Sequence, residues 1–320
     1  MTTSDSATVH VVAYALWPTS PANDALATAN PWAQALQALP QKPSLQTIGR
    51  AAVQHALTMP ANSPCGAHEW ALAQALGWQV SPDQLPLAAW QAAQSGLACD
   101  ADHGWAFIDL VHCEFNQGRV RISQPQDLSD EDSLAFMHAM QAFFLEDGIH
   151  LCPLSPGRFL AHARVFQALP CVSLERACLQ DIHALHDVEQ LSEQTSAQRL
   201  LRRLQNEMQM LLYTHDLNAD RSPAINSFWV SGCGALPART LTGVQVHTAL
   251  RESFLQQHPP AWAAAWEELA HTLIAPALQH GDRLVLCGTD RCLTLTANSP
   301  SLWQQFLQKI HPQSWVKLLS

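Results

Sequence analysis

The sequence predicts a mixed α/β protein in which helices flank a mixed sheet. Between residues 104 and 163, a hairpin pattern, a capped helix pattern and two further strand patterns follow one another. Helical periodicity returns over Ala197–Tyr213, where leucines and methionines recur every three or four residues. Strand and helix patterns that alternate in this way are typical of a sheet covered by helices.

The first hundred residues are expected to be rich in helix. Val9–Trp17 is an apolar run typical of a buried strand. Residues 31–95 are rich in Ala, Gln, Leu and Trp, and prolines divide them into short helical stretches. We therefore expect a helix-rich region over residues 1–100 and a mixed α/β region over 101–320, or one continuous domain that includes both.

The segment from Gly104 to Ala163 predicts a β-hairpin–helix–β unit. Asn116-Gln117-Gly118 is a turn signal between two strand patterns. Ser129 can cap the following helix, and Gly148 ends it. The predicted strands are Trp105–Phe115, Arg119–Ser123, Ile149–Leu154 and Arg158–Ala163.

The C-terminal part predicts a helix, a hairpin and a last helix. Pro259-Pro260 opens the first helix, and Pro276 and Gly281 are expected to close it. Strands Arg283–Gly288 and Cys292–Thr296 are expected to pair across a short turn, and Ser299 caps the last helix.

Composition excludes several classes of function. The chain has 48% hydrophobic and 14% charged residues, which is typical of a globular protein. Its 17 basic and 27 acidic residues are scattered and leave a net charge of −10, so no nucleic-acid or membrane partner is expected. The nine cysteines form no Cys-x-x-Cys motif. Reduced thiols and a start without a signal peptide predict a cytoplasmic protein.

The stretch Leu204–Gly234 carries an unusual density of polar side chains. Arg221 lies in its polar loop, and a guanidinium there suits a phosphate or carboxylate group. The same residues also fit a buried hydrogen-bonded network that shapes the fold, in which Glu207 and Gln209 fasten the loop. Gly232-Cys233-Gly234 is interpreted as a turn. The candidate ligand-binding residues of this stretch are His215, Asn218, Arg221, Asn226 and Trp229.

Two further groups are candidates for chemistry. Asp109 and His112 are expected to line the ligand site together with the five residues above. Placed at the end of a strand, they form either an acid–base pair or a structural hydrogen bond. His183 and His186 would share one face of a helix, as a metal-ligand pair requires, or simply a solvated helix face. The sequence selects no third metal ligand among the other histidines, and no cofactor is predicted.

The string from Asn206 to Gly234 resembles a signature of the proteobacterial RpfE-type regulatory proteins, a group also described as cofactor-independent phosphoglycerate-mutase-like. Asp109-Leu110-Val111-His112-Cys113 is similar to the Asp-Pro-Val-His-Leu element of that family, and Gly157-Arg158-Phe159-Leu160 to its Pro-x-Arg-Trp strand. The resemblance covers roughly residues 100–240. It implies a reduced version of the fold of the archaeal-type phosphoglycerate mutases and of their alkaline-phosphatase superfamily.

The chain departs from those mutases at their catalytic residues. The resemblance implies an Asp-Gly metal loop after the first strand, but Trp17-Pro18-Thr19 stands there. The C-terminal half also lacks the Asp-His cluster that would hold a second metal. We therefore expect a non-catalytic binding or regulatory protein for a small anionic, phosphorylated ligand. A metal-dependent phosphomutase or phosphatase with an atypical histidine-rich ligand set is the first alternative, and a structural partner-binding protein is the second.

Overall fold

The structure is a computed structural model, and it describes residues 7–17, 30–39, 52–60, 62–99, 102–116, 119–125, 127–179, 182–183 and 195–297. The strands are β1 Val9–Val12, β2 Ala52–Thr58, β3 Gly104–Asn116, β4 Arg119–Ser123, β5 His150–Ser155, β6 Arg158–Ala163, β7 Ile182–His183, β8 Ser227–Gly234, β9 Val244–His247, β10 Arg283–Cys287 and β11 Arg291–Thr296. The helices are α1 Pro31–Gln37, α2 Ala67–Ala75, α3 Leu87–Gln94, α4 Asp130–Glu146, α5 Leu174–Leu179, α6 Ser196–Tyr213, α7 Arg251–Leu255, α8 Pro259–Leu269 and α9 Ala275–His280. None of these helices is long and apolar enough to span a bilayer.

The chain divides into two compact units that alternate along the sequence. The first contains residues 1–62, 66–79 and 241–320, and the second contains residues 63–65 and 80–240. This partition differs from the division predicted between residues 100 and 101. The physical reason is that β1 pairs with β9 and with β10, so residues from both ends of the chain share one sheet.

The sheet of the first unit is mixed, with the strand order β2-β11-β10-β1-β9. β1 runs parallel to both of its neighbours, whereas β10–β11 and β11–β2 are antiparallel. All four residues of β1 are buried, as expected for a parallel strand at the centre of a sheet. Two tryptophans of α8 fasten the segment after β1, because Trp262 Nε1 donates to Tyr14 O (2.8 Å) and Trp266 Nε1 to Ala15 O (3.0 Å).

The sheet of the second unit is built around β3. Its path runs β5-β6-β3-β4-β7, and β8 also pairs with β3. β6 and β8 flank the first part of β3, and β4 continues along its last five residues, all in antiparallel register. Helices α4 and α6 supply the core on one side. Its fully buried members include Phe136, Met140 and Phe144 from α4, Leu204, Met208 and Leu212 from α6, and Phe228 from β8.

The predicted fold class is confirmed, since the structure is a mixed α/β protein with two sheets and flanking helices. The strands of the hairpin–helix–β unit also form as β3, β4, β5 and β6. Ser129 caps α4 by accepting a hydrogen bond from Asp132 N at 3.0 Å. The turn at 117–118 and the helix after Ser299 lie outside the described residues.

Several boundaries need correction. β1 ends at Val12, and Tyr14 adopts a φ of +59°, which stops the extended run predicted to reach Trp17. Residues 52–58 form strand β2 within the region expected to be helical. Pro276 does not end the helical segment, because it lies in the first turn of α9, where no N–H is needed, and a π-helical stretch at Ala270–Ile274 precedes it. Gly232-Cys233-Gly234 is the end of β8 rather than a turn.

Candidate functional site

Asp109 is buried in an ion pair inside β3. Its Oδ1 and Oδ2 accept hydrogen bonds from Arg158 Nε (2.5 Å) and Nη2 (3.2 Å) on the neighbouring strand β6. The Asp109 side chain is 1% exposed and the Arg158 side chain 32%. The guanidinium also lies 4.9 Å above the centre of the Phe107 ring. The guanidinium of Arg158 thus supplies the opposite charge that the buried carboxylate of Asp109 requires.

The structure corrects the position of the Asp109–His112 element. It lies in the interior of β3, which continues to Asn116, and not at a strand end. Residues three apart on a strand project from opposite faces, so the two side chains do not form an acid–base pair. His112 Nδ1 instead donates to Ala224 O at 2.7 Å. This contact is a structural hydrogen bond, but it joins His112 to the loop before β8 and not to Asp109, so it differs from both interpretations of the Asp109–His112 element.

Asn226 extends the pairing of β3 with β8 by one residue. Its Oδ1 accepts from Cys113 N at 2.7 Å, and its Nδ2 donates to Cys113 O at 2.9 Å. Asn226 N also donates to Val111 O at 3.2 Å. The side-chain amide of Asn226 therefore bonds to the main-chain N–H and C=O of Cys113, as a residue of a neighbouring strand would, just beyond the last β3–β8 pair.

Asn218 performs a similar task within the loop that joins α6 to β8. It is buried and makes three hydrogen bonds to main-chain groups, at Leu212 and at Ile225. His215 begins the short 3-10 turn Asp216–Asn218, and its Nδ1 accepts from Leu217 N at 3.3 Å. Both side chains thus shape the loop.

Trp229 fastens β8 to a neighbouring loop. It pairs in register with Asp109, and its Nε1 donates to Val172 O at 2.8 Å. Its ring packs against a small apolar cluster that includes Val111 and Ile122. The indole is thereby held by a hydrogen bond at its polar atom and by apolar contacts around its ring.

Arg221 lines a pocket of about 440 Å³ on the second unit. Its Nη2 lies 3.3 Å from Asp132 Oδ2 on α4, and the two side chains are 17% and 41% exposed. The remaining lining residues are Pro125, Asp127, Asp216, Leu217, Asp220, Ser222 and Pro223. Four carboxylates and one guanidinium give this pocket a negative balance of charge at neutral pH. We call it the Arg221 pocket.

The seven predicted ligand-binding residues do not all line this pocket. Arg221 does, whereas Asp109, His112, His215, Asn218, Asn226 and Trp229 are absent from its lining. Sequence reasoning missed the four aspartates of the pocket. Asp216 and Asp220 stand in the same polar loop as Arg221, which was a usable signal. Asp127 and Asp132 are distant in sequence, and only the packing of α4 against this loop reveals them.

The metal candidates occupy other positions. His183 lies on the short strand β7, so the helical spacing argument does not hold there, and His186 lies outside the described residues. Across the described part of the chain, no three His, Cys, Asp or Glu side chains are grouped to hold a metal ion. Glu207 pairs with Arg203 on its own helix (3.6 Å) and Gln209 is exposed, which differs from the alternative interpretation in which these two residues fasten the loop.

Comparisons with known proteins give a faint likeness to solved structures. No protein-family model and no curated protein sequence matches this chain. The PH0037 protein from Pyrococcus horikoshii is 10% identical with a TM-score of 0.46, and the match covers 90% of this chain and 87% of that one. A cofactor-independent phosphoglycerate mutase from Thermoplasma acidophilum is 10% identical with a TM-score of 0.34, over 90% of this chain and 89% of that one. Likeness at these identities and TM-scores assigns no function to this chain.

Proposed function

We propose that this chain is an RpfE-type, non-catalytic binding protein that holds a small phosphorylated ligand in the Arg221 pocket. The observation that carries the proposal is the position of Arg221. Of the seven predicted ligand-binding residues, Arg221 is the one in the lining of this pocket, and a guanidinium is well suited to a phosphate or carboxylate group. Asn218, Asn226 and Trp229 stabilise the loop and strand around Arg221 through hydrogen bonds to main-chain groups.

The use of the other motif residues supports a non-catalytic role. Catalysis by an amide, an imidazole or an indole requires polar atoms directed at a bound substrate. Here the side-chain polar atoms of Asn218 and Asn226 are engaged with main-chain groups, and so is the indole N–H of Trp229. Such engagement favours loop shaping over chemistry.

The charges of the pocket restrict the ligand further. A simple dianion would be repelled by the excess of carboxylates, since like charges within a few ångströms raise the free energy of binding. A ligand that carries both an anionic group for Arg221 and an ammonium group for the aspartates matches the balance better. Asp216 and Asp220, next to Arg221 in the same loop, are the acceptors for the ammonium group. The proposed ligand class is therefore a small phosphorylated amine or amino acid.

The alternative of a structural partner-binding protein has less support. It predicts an exposed patch of tryptophans in residues 31–95 and no concave polar site around Arg221. Trp32 and Trp78 are 6% and 3% exposed, Trp70 and Trp90 are half-buried, and the Arg221 pocket is present. The metal-dependent phosphomutase or phosphatase alternative predicts turnover of a phosphorylated substrate in the presence of a divalent metal ion.

Two matched compounds test the proposal by calorimetric titration. 3-Phosphoglycerate and O-phosphoserine share a carboxylate and a phosphate and differ at carbon 2, which carries a hydroxyl group in the first and an ammonium group in the second. We expect O-phosphoserine to bind more tightly, and Arg221→Gln to abolish its binding. Arg239→Gln removes an exposed guanidinium outside the pocket and should leave binding unchanged. Equal titration curves for the wild type and Arg221→Gln would refute the role of Arg221.

An activity assay of the wild-type protein with added Mn²⁺ or Zn²⁺ distinguishes the proposed binding protein from the enzyme alternative. Release of phosphate, or conversion of 3-phosphoglycerate to its 2-phosphate isomer, would contradict the non-catalytic proposal. The absence of turnover together with saturable binding of O-phosphoserine is the expected result.

A further inference from the structure

A pair of cysteines faces each other across the hairpin of β10 and β11. Cys287 and Cys292 are partners in the antiparallel register, and their Sγ atoms are 3.0 Å apart. Gly288 N donates to Arg291 O at 2.7 Å, so the adjacent pair is hydrogen-bonded. Because such pairs alternate along an antiparallel ladder, Cys287 and Cys292 occupy a non-hydrogen-bonded position, where side chains approach most closely.

The backbone at this position is compatible with a disulfide bond. Non-hydrogen-bonded partners have Cα atoms about 4.5 Å apart, and disulfides span Cα distances of about 4.4 to 6.8 Å. A spacing of about 4.5 Å lies within that range, so the two sulfurs can be joined without separating the strands. A thiol reductant can open such a cystine again by thiol–disulfide exchange.

A second pocket gives access to one of the two thiols. It has a volume of about 430 Å³ and lies on the first unit, over the sheet face covered by α2. Trp70 and Gln74 of α2 form one wall, and Cys292 and Thr294 of β11 form another. Cys292 is 4% exposed and Cys287 is fully buried. Only a very small reagent can therefore reach the sulfur of Cys292 without unfolding of the unit.

We propose that Cys287 and Cys292 are a redox modification site that a small hydroperoxide converts to a cystine through the pocket at Cys292. In the first step the Cys292 sulfur attacks the peroxide, the O–O bond breaks, and sulfenic acid and an alcohol or water form. In the second step the Cys287 sulfur attacks the Cys292 sulfur, the S–O bond breaks, and hydroxide leaves as water with the Cys287 proton. Overall, two thiols are oxidised to one disulfide and one peroxide is reduced.

The surroundings of the two sulfurs assign their order of reaction. Cys292 lines the pocket, so it meets the oxidant first. Burial raises the pKa of the Cys287 thiol well above its usual range, which makes it a poor nucleophile toward an external oxidant. Its contact with Cys292 still allows the intramolecular step. Cys287 is therefore the resolving thiol.

Peptide mapping of the full chain tests the site directly. Trypsin cleaves after Arg291 and separates peptide 284–291, which contains Cys287, from peptide 292–309, which contains Cys292. After treatment of the native protein with hydrogen peroxide, we expect these two peptides to remain linked and to separate on addition of dithiothreitol. Unlinked peptides after peroxide treatment would overturn the proposal, as would a link from Cys292 to any other cysteine.

A parallel treatment with glutathione disulfide tests the choice of oxidant. A link formed by this larger reagent and not by peroxide would overturn the assignment of a hydroperoxide. In Cys287→Ser, peroxide should leave Cys292 as a sulfenic acid that dimedone traps, whereas in Cys292→Ser the residue Cys287 should stay unmodified. Cys152→Ser, a half-buried thiol in the second unit, is the matched control and should keep the 284–291 to 292–309 link. Wild-type mapping decides the question even if either hairpin variant fails to fold.

Discussion

Asn218 holds Ile225 at both polar groups of its main chain. Asn218 Nδ2 donates to Ile225 O at 2.8 Å, and Asn218 Oδ1 accepts from Ile225 N at 2.9 Å. A further bond from Nδ2 to Leu212 O, at 2.7 Å, attaches the same side chain to the end of α6. Because Asn218 is buried, bulk water does not compete for these bonds in the folded protein, and the amide is a main support of the loop that carries Arg221.

Replacing Asn218 by alanine should lower the stability of the protein. The change leaves two buried carbonyls and one buried N–H without their side-chain partner, and each such group costs about 1–3 kcal/mol. Partial access of water in the variant reduces the sum, so we expect the free energy of unfolding to fall by about 2–4 kcal/mol. Urea denaturation followed by circular dichroism measures this change.

An exposed asparagine on α6 provides the control. Asn206→Ala removes the same amide from the helix surface and should change the free energy of unfolding by less than about 0.5 kcal/mol. If both variants unfold at the same urea concentration, the three hydrogen bonds of Asn218 do not stabilise the loop.

The sequence predicted the elements whose signals are local. The strands of the hairpin–helix–β unit and the cap at Ser129 formed as expected, because turn residues, period-two alternation and a capping hydroxyl act within a few residues. The end of the first strand was missed because Tyr14 adopts a positive φ, which a tyrosine rarely does. Strand β2 was missed because it is specified by its pairing with β11, a contact distant in sequence.

The candidate site was harder to predict than the fold. The polar residues of the motif could be identified, but whether an amide binds a ligand or its own main chain depends on where the main chain passes. Asn226 illustrates this, since its partner Cys113 lies more than a hundred residues earlier. The sequence offered both interpretations of the motif, and it offered no signal that Asp132 would stand beside Arg221.

Removing the partner of Asp109 should be strongly destabilising. In Arg158→Met the Asp109 carboxylate stays buried without its guanidinium, and breaking a buried ion pair costs about 3–5 kcal/mol. Arg158 is 32% exposed, so we expect a value near the lower end of that range. Guanidinium chloride denaturation of the variant measures it.

The double variant Asp109→Leu/Arg158→Met separates the charge from the packing. Replacing both members of a buried pair by apolar residues removes the isolated charge, so much of the lost stability should return. A double variant less stable than Arg158→Met alone would show that the ion pair is not what the single change disturbs.

His247 should make stability depend on pH. Burial, and then the nearby His10 ring, lowers the pKa of His247, and the two rings are 3.1 Å apart at His10 Nδ1 and His247 Nε2. Because its pKa is lower in the folded than in the unfolded state, the unfolded chain binds the proton more readily. The contribution of neutral His247 to the free energy of unfolding is therefore complete above the unfolded-state pKa of about 6.5. It is lost as the pH falls below that value.

Thermal denaturation between pH 8 and pH 5 measures this effect. The wild type should lose stability over the acidic part of the range, and His247→Gln should lose less. His271→Gln removes an exposed imidazole from the same unit and should keep the wild-type slope. A His247→Gln curve parallel to that of the wild type would exclude His247 as the titrating group.

Asp132→Asn should strengthen the binding of O-phosphoserine to the Arg221 pocket. The change removes one carboxylate from the lining and releases Nη2 of Arg221 from its 3.3 Å contact with Asp132 Oδ2. One charge near a protein surface alters a binding free energy by about 1 kcal/mol, so the dissociation constant should fall roughly three- to tenfold. Glu131→Gln is the control. It removes an exposed carboxylate from the same first turn of α4, so it changes the charge at the helix terminus equally, but Glu131 is outside the pocket lining. Titration with O-phosphoserine should therefore show a higher affinity for Asp132→Asn alone. An equal increase in affinity for both variants would mean that net charge, and not the contact with Arg221, governs binding.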